Sequence, residues 1–199
     1  MGRLTDKNLL IIIPKDYYNE EELNIPLEIF KKEDANIVIA SSKMKEAVGE
    51  KNGRITPDVL IVDAIEGITG DSYVTGSRGT RQVKGIFHGV VVVGGKGARL
   101  YVWKDQLVAL LLNDRYRSGF VVAAIGMGIG ALAISGLIES QEVAAPEDKK
   151  LTPLVEESKG IVADEDLVSY NRIITAKNAT VAESFAEAVI AEVEKTAAK

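Results

Sequence analysis

Residues 89–98 have the sequence GVVVVGGKGA, and residues 120–131 have the sequence FVVAAIGMGIGA. In each stretch a run of β-branched or small apolar residues ends abruptly in a glycine-rich turn. A continuous apolar run of this length is typical of a strand that is buried on both faces of a parallel sheet. Open α/β sheets bind ligands at the carboxyl ends of their strands, where these turns would lie. The two stretches therefore predict an α/β fold with a candidate site beside the two turns.

The rest of the chain alternates short apolar runs with amphipathic segments, which predicts a parallel sheet with crossover helices. Asn19 is a residue type that favours the start of a helix, and Gly136 is one that favours the end of a helix. In a further segment, the spacing of Leu107, Leu110 and Leu111 predicts the buried face of a helix. The predicted fold is a three-layer α/β sandwich, with helices on both faces of a mostly parallel sheet. The remaining predicted strands are 8–14, 36–40, 59–62 at an edge, 142–144 and 172–175; the predicted helices are 19–32, 105–117 and 180–195, with a loop or hairpin over 69–85.

The composition fits one folded domain over residues 1–199 and excludes several kinds of chemistry. The chain has no cysteine and a single histidine, His88, which excludes thiolate catalysis, iron–sulfur clusters and cysteine-type zinc sites. No metal and no cofactor are predicted. The net charge of −5 argues against a nucleic-acid partner, which normally requires a basic face. Residues 120–138 are uncharged and nearly long enough to span a bilayer, but glycines divide them into a strand and a short helix, so we expect no membrane partner and a cytoplasmic location.

The first glycine turn is Gly94-Gly95-Lys96-Gly97-Ala98. Glycines in such a turn allow backbone N–H groups to approach a bound anion closely. The turn is not a Walker A loop, because Gly97 follows Lys96 where that motif requires Ser or Thr. A tight strand-to-helix turn that binds nothing explains the same residues, so both interpretations stay open.

The second turn, residues 124–131, fits two known patterns. Gly126-x-Gly128-x-x-Ala131 after a strand is typical of a dinucleotide-binding turn, although it comes late in the chain and Gly136 ends its helix early. Small residues on either side of a central position are also typical of a nucleophile elbow, which holds its central side chain at a helix N-terminus. The central residue here is Gly126, which adopts a positive φ easily but offers no nucleophile.

The motifs together resemble the ThiJ/PfpI superfamily over essentially the whole chain. That resemblance rests on the order and spacing of Leu9–Ile13, Glu22-x-x-x-Pro26, Ala40-Ser41, Pro57-Asp58, the two glycine turns with the strands before them, Ala133-x-x-Gly136-Leu137, Pro146 and Ile173–Ala176. It implies a flavodoxin-like sandwich that forms a homodimer or a larger homo-oligomer. Members of the superfamily include protease I-type hydrolases, chaperones, and glyoxalase-like or deglycase-like enzymes.

The resemblance also implies which residues form a site. Glu22 falls at the family's acidic catalytic position, although an acidic residue in the first turn of a helix is also explained by the helix dipole. Gly126 stands where the family usually has its nucleophilic cysteine, Met127 where protease-type members have histidine, and Ala145 where another branch has histidine. The residues implied for an oxyanion hole or for ligand binding are Gly94, Gly95, Gly97, Met127 and Gly128.

These positions predict a protein that keeps the family's pocket without its thiol chemistry. Such a pseudoenzyme would bind a small anionic or carbonyl ligand at the helix N-terminus or would be a stress-related protein. The same residues fit a cysteine-independent hydrolase or a glyoxalase-like or lyase-like enzyme that uses Glu22 as a general base. A dinucleotide-binding protein and a purely structural role also stay open.

Several conspicuous side chains are predicted to have ordinary roles. His88 precedes a strand and has no evident partner in the sequence, so we expect an edge or surface position. Arg99, Tyr101 and Trp103 follow the first glycine turn and fit either the wall of a pocket or a subunit contact. Residues of these types concentrate at protein interfaces, which favours the subunit contact.

Overall fold

Seven strands form the central sheet of the computed structural model, which describes residues 2–65, 68–76, 79–84 and 86–197. The order across this sheet is β12-β13-β9-β8-β1-β2-β5, and every neighbouring pair is parallel except β12 and β13. The prediction of a mostly parallel sheet is confirmed. The strands are β1 (Asn8–Ile12), β2 (Asn36–Ser41), β3 (Ala47–Val48), β4 (Arg54–Ile55), β5 (Val59–Leu60), β6 (Ile68–Gly76), β7 (Gly79–Lys84), β8 (Gly89–Val92), β9 (Val121–Ile125), β10 (Glu142–Val143), β11 (Ile161–Val162), β12 (Leu167–Tyr170) and β13 (Ile173–Ala176).

Helices cover both faces of the sheet, as predicted. The helices are α1 (Glu20–Lys32), α2 (Ile61–Ile65), α3 (Lys96–Tyr101), α4 (Gln106–Arg117), α5 (Ile129–Ile134), α6 (Leu151–Glu157) and α7 (Ala182–Glu194). Apolar residues of α1 and α7 form one core with one face of the sheet. Apolar residues of α2 to α6 form the second core with the other face. The sandwich therefore has three layers.

Helix α1 begins where the sequence predicts. The side chain of Asn19 accepts hydrogen bonds from the N–H groups of Glu21 and Glu22, both at 3.1 Å, and so caps the first turn. Leu23 and Phe30 are buried against the sheet. Glu22 lies on this same inward face of α1. It is in the first turn of the helix, near the carboxyl ends of the strands.

Helix α4 also begins where predicted, but its buried face is not the predicted one. Leu107 and Leu110 are 41% and 54% exposed, whereas Val108, Leu111 and Leu112 are almost completely buried. Two apolar stripes with helical spacing overlap in this segment, and packing against the sheet selects the one that contains Val108. The prediction was therefore right for Leu111 and wrong for the other two leucines.

The uncharged stretch 120–138 folds as strand β9, a turn of 3₁₀-helix over Gly126–Gly128, and helix α5. Gly136 adopts a φ of +74° just after α5, a conformation that commonly ends helices. No helix among the described residues is long and apolar enough to cross a membrane.

Three further segments differ from the predicted elements or add detail to them. The excursion predicted over 69–85 contains the antiparallel hairpin of β6 and β7, while positions 77, 78 and 85 lie outside the described residues. The predicted edge strand 59–62 is shorter than expected, because the chain turns into α2 at Ile61. Strand β12 was not predicted; its exposed, partly polar sequence gives it no buried strand pattern.

Candidate ligand site at the carboxyl ends of the central strands

Strands β1, β8 and β9 lie side by side and run parallel, so the segments after them meet at one edge of the sheet. Residues 13–19 lead from β1 into α1, residues 93–95 lead from β8 into α3, and residues 126–128 follow β9. The two glycine turns are thereby brought together, as the sequence predicts, and the first turn of α1 joins them, as the family resemblance implies.

Gly126 forms a sharp bend at the end of β9. Its φ is +58°, in the left-handed region that glycine adopts more easily than other residues. A Cβ atom built on Gly126 would lie 2.3 Å from Oε1 and 2.7 Å from Oε2 of Glu22. The carboxyl group of Glu22 therefore occupies the space in which a side chain at position 126 would begin.

Glu22 is buried beneath the site, with 5% of its surface exposed. Its Oε2 accepts a hydrogen bond from the N–H group of Gly94 at 3.1 Å. Burial raises the pKa of Glu22 to about 7, against the lowering effect of the Gly94 hydrogen bond, and the negative charges of Glu50 and Glu21 raise it further. Glu22 is thus a carboxyl group that exchanges its proton near neutral pH.

The N–H groups of the first glycine turn are largely engaged by the protein itself. Gly94 donates to Glu22, Lys96 donates to Oε1 of Glu50 at 2.7 Å, and Gly97 donates to the carbonyl oxygen of Tyr17 at 2.9 Å. A Cβ atom on Gly97 would lie 1.8 Å from the carbonyl oxygen of Asp16, so the close approach of the two loops requires glycine there. The N–H groups that were predicted to bind a ligand therefore bind other residues of the protein and hold the neighbouring loops in place.

A hollow of about 240 Å³ opens above Glu22. Of the residues predicted for the site, Glu22, Gly95, Gly126 and Met127 line it. Gly94 and Gly97 are not among its lining residues; their N–H groups bind Glu22 and Tyr17, as described above. Gly128 packs against β8, because a Cβ atom there would lie 2.4 Å from the carbonyl oxygen of Val92.

Further residues that line the hollow were missed. They come from the loops after β3, β10 and β13 and are mostly polar or charged: Glu50, Glu147, Asp148, Lys177 and Asn178. A signal existed for the last two, because they directly follow a predicted parallel strand whose carboxyl end lies at the same edge of the sheet. Pro146 was noted as a motif residue, but no sequence pattern placed Glu50 at the site.

A larger cavity of about 590 Å³ continues outward from the hollow and shares Glu50, Lys96, Met127 and Asp148 with it. Arg99 is among the further residues of its wall. Hydrogen bonds from the N–H groups of Lys150 and Leu151 lower the pKa of Asp148, so this carboxylate is ionised at neutral pH. The mouth of the site therefore carries both acidic and basic side chains.

The residues that follow the first glycine turn include two that line cavities, Arg99 and Trp103, while a subunit contact stays a prediction. Trp103 is 6% exposed, and its Nε1–H donates to the carbonyl oxygen of Met127 at 2.6 Å. A Cβ atom on Gly130 would lie 2.2 Å from its ring, so Trp103 packs against the second turn. Arg99 lines the outer cavity, and Tyr101 is half-buried with Nζ of Lys15 at 4.3 Å from its ring centre.

His88 is buried rather than at an edge or the surface, with 2% of its surface exposed. Its Nδ1 accepts a hydrogen bond from the N–H group of Asn8 at 3.0 Å, and its ring meets the edge of Phe120 with centroids 5.7 Å apart. The prediction failed because the residue precedes a central strand that is covered on both sides. Asn8 begins β1, so His88 lies at the end of the sheet opposite the hollow.

The fold, the bend at Gly126 and the acidic residue beside it define a class that comparison with known proteins confirms. A family model described as the DJ-1/PfpI family matches residues 7–192, and the chain belongs to this family. The structure is similar to a ThiJ/PfpI domain protein from Brachyspira murdochii, with a TM-score of 0.80, 23% identity, and coverage of 98% of this chain and 99% of that one. It is similar to DJ-1beta of Drosophila melanogaster, with a TM-score of 0.75, 20% identity, and coverage of 98% and 92%.

Among curated proteins, the chain is 28% identical over 195 residues to an uncharacterized protein of Methanocaldococcus jannaschii, covering 95% of this chain and 83% of that protein. The structural matches establish the shared flavodoxin-like fold, and the resemblance found in the sequence is confirmed at the level of the family.

Proposed function

We propose that this protein binds a small polar ligand in the hollow above Glu22 and performs no thiol chemistry. The single observation that carries the proposal is the placement of the Glu22 carboxyl group directly beside Gly126, which has no side chain. The chain has no cysteine, so no thiolate of its own can act anywhere in this pocket. What the pocket retains is a buried proton donor or acceptor and a lining of polar groups.

The lining favours a carbonyl compound or a small carboxylate. Below a pH of about 7 the neutral carboxyl group of Glu22 can donate a hydrogen bond to a carbonyl or carboxylate oxygen. Lys96 and Asn178 also line the hollow and carry donors, whereas the charge of Lys177 is already paired with Asp166 at 3.1 Å. The carboxylates at the rim, such as Asp148, oppose large polyanions but are compatible with a small ligand that has its own donor groups.

A titration with pyruvate tests the proposal, because pyruvate carries both a carbonyl and a carboxylate oxygen. We expect a saturable rise in the melting temperature, larger near pH 6 than near pH 8, since ionised Glu22 repels a carboxylate. In Glu22→Gln this pH dependence disappears, whereas it persists in the exposed neighbour variant Glu21→Gln. Binding is refuted if pyruvate, acetate and phosphate all leave the melting temperature unchanged at both pH values.

The absence of thiol chemistry is tested separately by assays for peptide hydrolysis and for methylglyoxal removal. The purified protein should show neither activity at a rate typical of a thiol enzyme. Turnover at such a rate contradicts the proposal.

Catalysis by Glu22 is a second candidate, because a carboxyl group with a pKa of about 7 is suited to general acid–base work at neutral pH. In that case the protein turns over a carbonyl substrate, the rate follows a group that titrates near neutrality, and Glu22→Gln loses the activity while remaining folded. If Glu22→Gln keeps the rate and the pH profile, this candidate is excluded.

Dinucleotide binding gains no support from the geometry, since the Glu22 carboxyl group occupies the position beside Gly126 and would face a pyrophosphate with like charge. Enhancement of NADH fluorescence by the protein would revive it.

A further inference from the structure

A second concave surface, separate from the hollow above Glu22, lies between α3 and α6. It encloses about 700 Å³, within the range of volumes found for small-molecule sites. Its apolar lining includes Leu100, Trp103, Ile134 and Leu154. Leu100 is 54% exposed and Ile134 is 39% exposed, so large apolar side chains face solvent here. We call this surface the α3/α6 groove.

The rim of the α3/α6 groove is strongly basic. The cations that line it are Arg99, Lys104, Lys149 and Lys150, and the lining has one acidic residue among those described, Glu157. The carboxylate of Asp148 also lies near Arg99 and Lys150. Within the described part of the chain, none of these four cations forms an ion pair with a carboxylate at 4.0 Å or less.

This local excess of positive charge contrasts with the net charge of −5 of the whole chain. At physiological ionic strength charges are screened beyond about 8 Å, so the charges that act on a ligand in the groove are mainly those of the four cations, Glu157 and the nearby Asp148, which leaves an excess of positive charge. An anionic group is therefore favoured at the rim, while the exposed apolar floor favours a hydrocarbon chain or ring.

We propose that the α3/α6 groove binds an amphipathic anion, a molecule with an apolar chain or ring that ends in a phosphate or a carboxylate. The apolar part covers Leu100 and Ile134, which are otherwise exposed, and the anionic group lies among Arg99, Lys149 and Lys150. Burial of apolar surface and charge attraction act together here, so neither an inorganic anion nor a neutral hydrocarbon satisfies the groove alone. The groove meets the outer cavity at Arg99 and Leu100, but the proposal does not depend on Glu22.

Isothermal titration with four matched probes tests this proposal: octyl phosphate, octanoate, octanol and inorganic phosphate. We expect saturable binding of octyl phosphate or octanoate, at least about tenfold tighter than that of octanol or inorganic phosphate. The ratio between octyl phosphate and octanoate then shows which anionic group the groove prefers. Equal affinity for octanol and octyl phosphate overturns the proposal, as does an absence of binding by either amphipathic anion.

Charge reversal locates the binding. The variant Lys149→Glu/Lys150→Glu should weaken the binding of the amphipathic anion by at least about tenfold. The control Lys31→Glu/Lys32→Glu makes the same change in net charge at the end of α1, on the opposite face of the sheet, and should leave the affinity within about twofold. An equal loss in both variants overturns the assignment to the groove.

Two further measurements distinguish ligand binding in the groove from binding in the hollow and from self-association. Glu22→Gln should leave octyl phosphate binding unchanged, so failure of the hollow as a ligand site and failure of the groove are distinguishable. Light scattering at several protein concentrations detects a second copy of the chain as the occupant instead. Self-association that Lys149→Glu/Lys150→Glu abolishes, together with no probe binding, overturns the proposal.

Discussion

The buried carboxyl group of Glu22 should make the stability of this protein fall as the pH rises towards 8, and Glu22→Gln should remove that part of the pH dependence. The pKa of Glu22 is raised from 4.5 to about 7 in the folded protein. Between these two values the folded state binds more protons at this site than the unfolded chain does. The favourable contribution is therefore complete below the unfolded value and is lost as the pH rises through the folded value.

The size of this loss of stability follows from the pKa values of Glu22 in the unfolded chain and in the folded protein. Their difference corresponds to about 3 kcal/mol of unfolding free energy in the limit of high pH. Because part of the titration is already under way near pH 5, we expect a loss of about 2–3 kcal/mol between pH 5 and pH 8. Glu22 is almost completely buried, so solvent screening reduces this value little. Glutamine has nearly the same shape and no titrating group, and it keeps an oxygen that can accept from the N–H group of Gly94.

Urea denaturation of wild type and Glu22→Gln at a series of pH values between 5 and 8 measures this effect. The difference in unfolding free energy between the two proteins should change by about 2–3 kcal/mol in favour of the variant as the pH rises. Burial lowers the pKa of His88, which gives a stability contribution of opposite slope below its ordinary value of 6.5. That contribution is present in both proteins and cancels in the difference.

The exposed neighbour provides the control. Glu21 pairs with Lys51 on the surface and is 55% exposed, so Glu21→Gln should change the unfolding free energy by less than about 1 kcal/mol. Its difference from wild type should be nearly independent of pH over this range, because the charge of Glu21 makes only a minor contribution to the raised pKa of Glu22. If the difference between wild type and Glu22→Gln is also independent of pH, the carboxyl group of Glu22 is not buried in the way the structure shows, and the reasoning about the hollow fails.

Three sets of substitutions test the packing around the site by denaturation followed with circular dichroism. Gly126→Ala should lower the unfolding free energy by at least about 1–2 kcal/mol, because position 126 has a positive φ. The loss should be smaller in a Glu22→Ala background, and equal losses would contradict the contact between the two residues. Leu111→Ala should cost about 2–5 kcal/mol and Leu110→Ala less than about 0.5 kcal/mol, and similar losses would contradict the orientation of α4. Trp103→Phe removes the indole N–H that donates to the carbonyl oxygen of Met127 and should lower the unfolding free energy by about 1–3 kcal/mol. An unchanged stability would contradict that hydrogen bond.

The elements that place the site could be predicted because their signals are local. Asn19 caps α1 through its own side chain and the nearby N–H groups of Glu21 and Glu22, which fixes the start of the helix without reference to the rest of the fold. The glycine turns follow buried strands, and parallel strands bring their carboxyl ends to one edge. Cap, turn and strand order predicted the start of α1 and the meeting of the two glycine turns, whereas the place of Glu22 beside Gly126 came from the family resemblance.

What could not be predicted depends on packing between distant segments. The orientation of α4 depends on which of two apolar stripes meets the sheet, and both stripes have helical spacing. His88 is buried because its neighbours in space, Asn8 and Phe120, come from other strands or their ends. Glu50 reaches the site because its carboxylate accepts the N–H group of Lys96, a contact between residues far apart in the sequence.

The position of Glu22 is itself an argument that the hollow has a function. No cation among the described residues forms an ion pair with this carboxyl group, and the hydrogen bond from Gly94 does not offset its burial. An uncharged side chain of the same shape would relieve the folded protein of about 3 kcal/mol at high pH. A purely structural core position gives no reason to keep such a group, whereas functional sites commonly contain a strained or destabilised residue. The burial of this carboxyl group beside Gly126 therefore supports the proposal that the hollow binds a ligand, because at high pH the group lowers the stability of the fold.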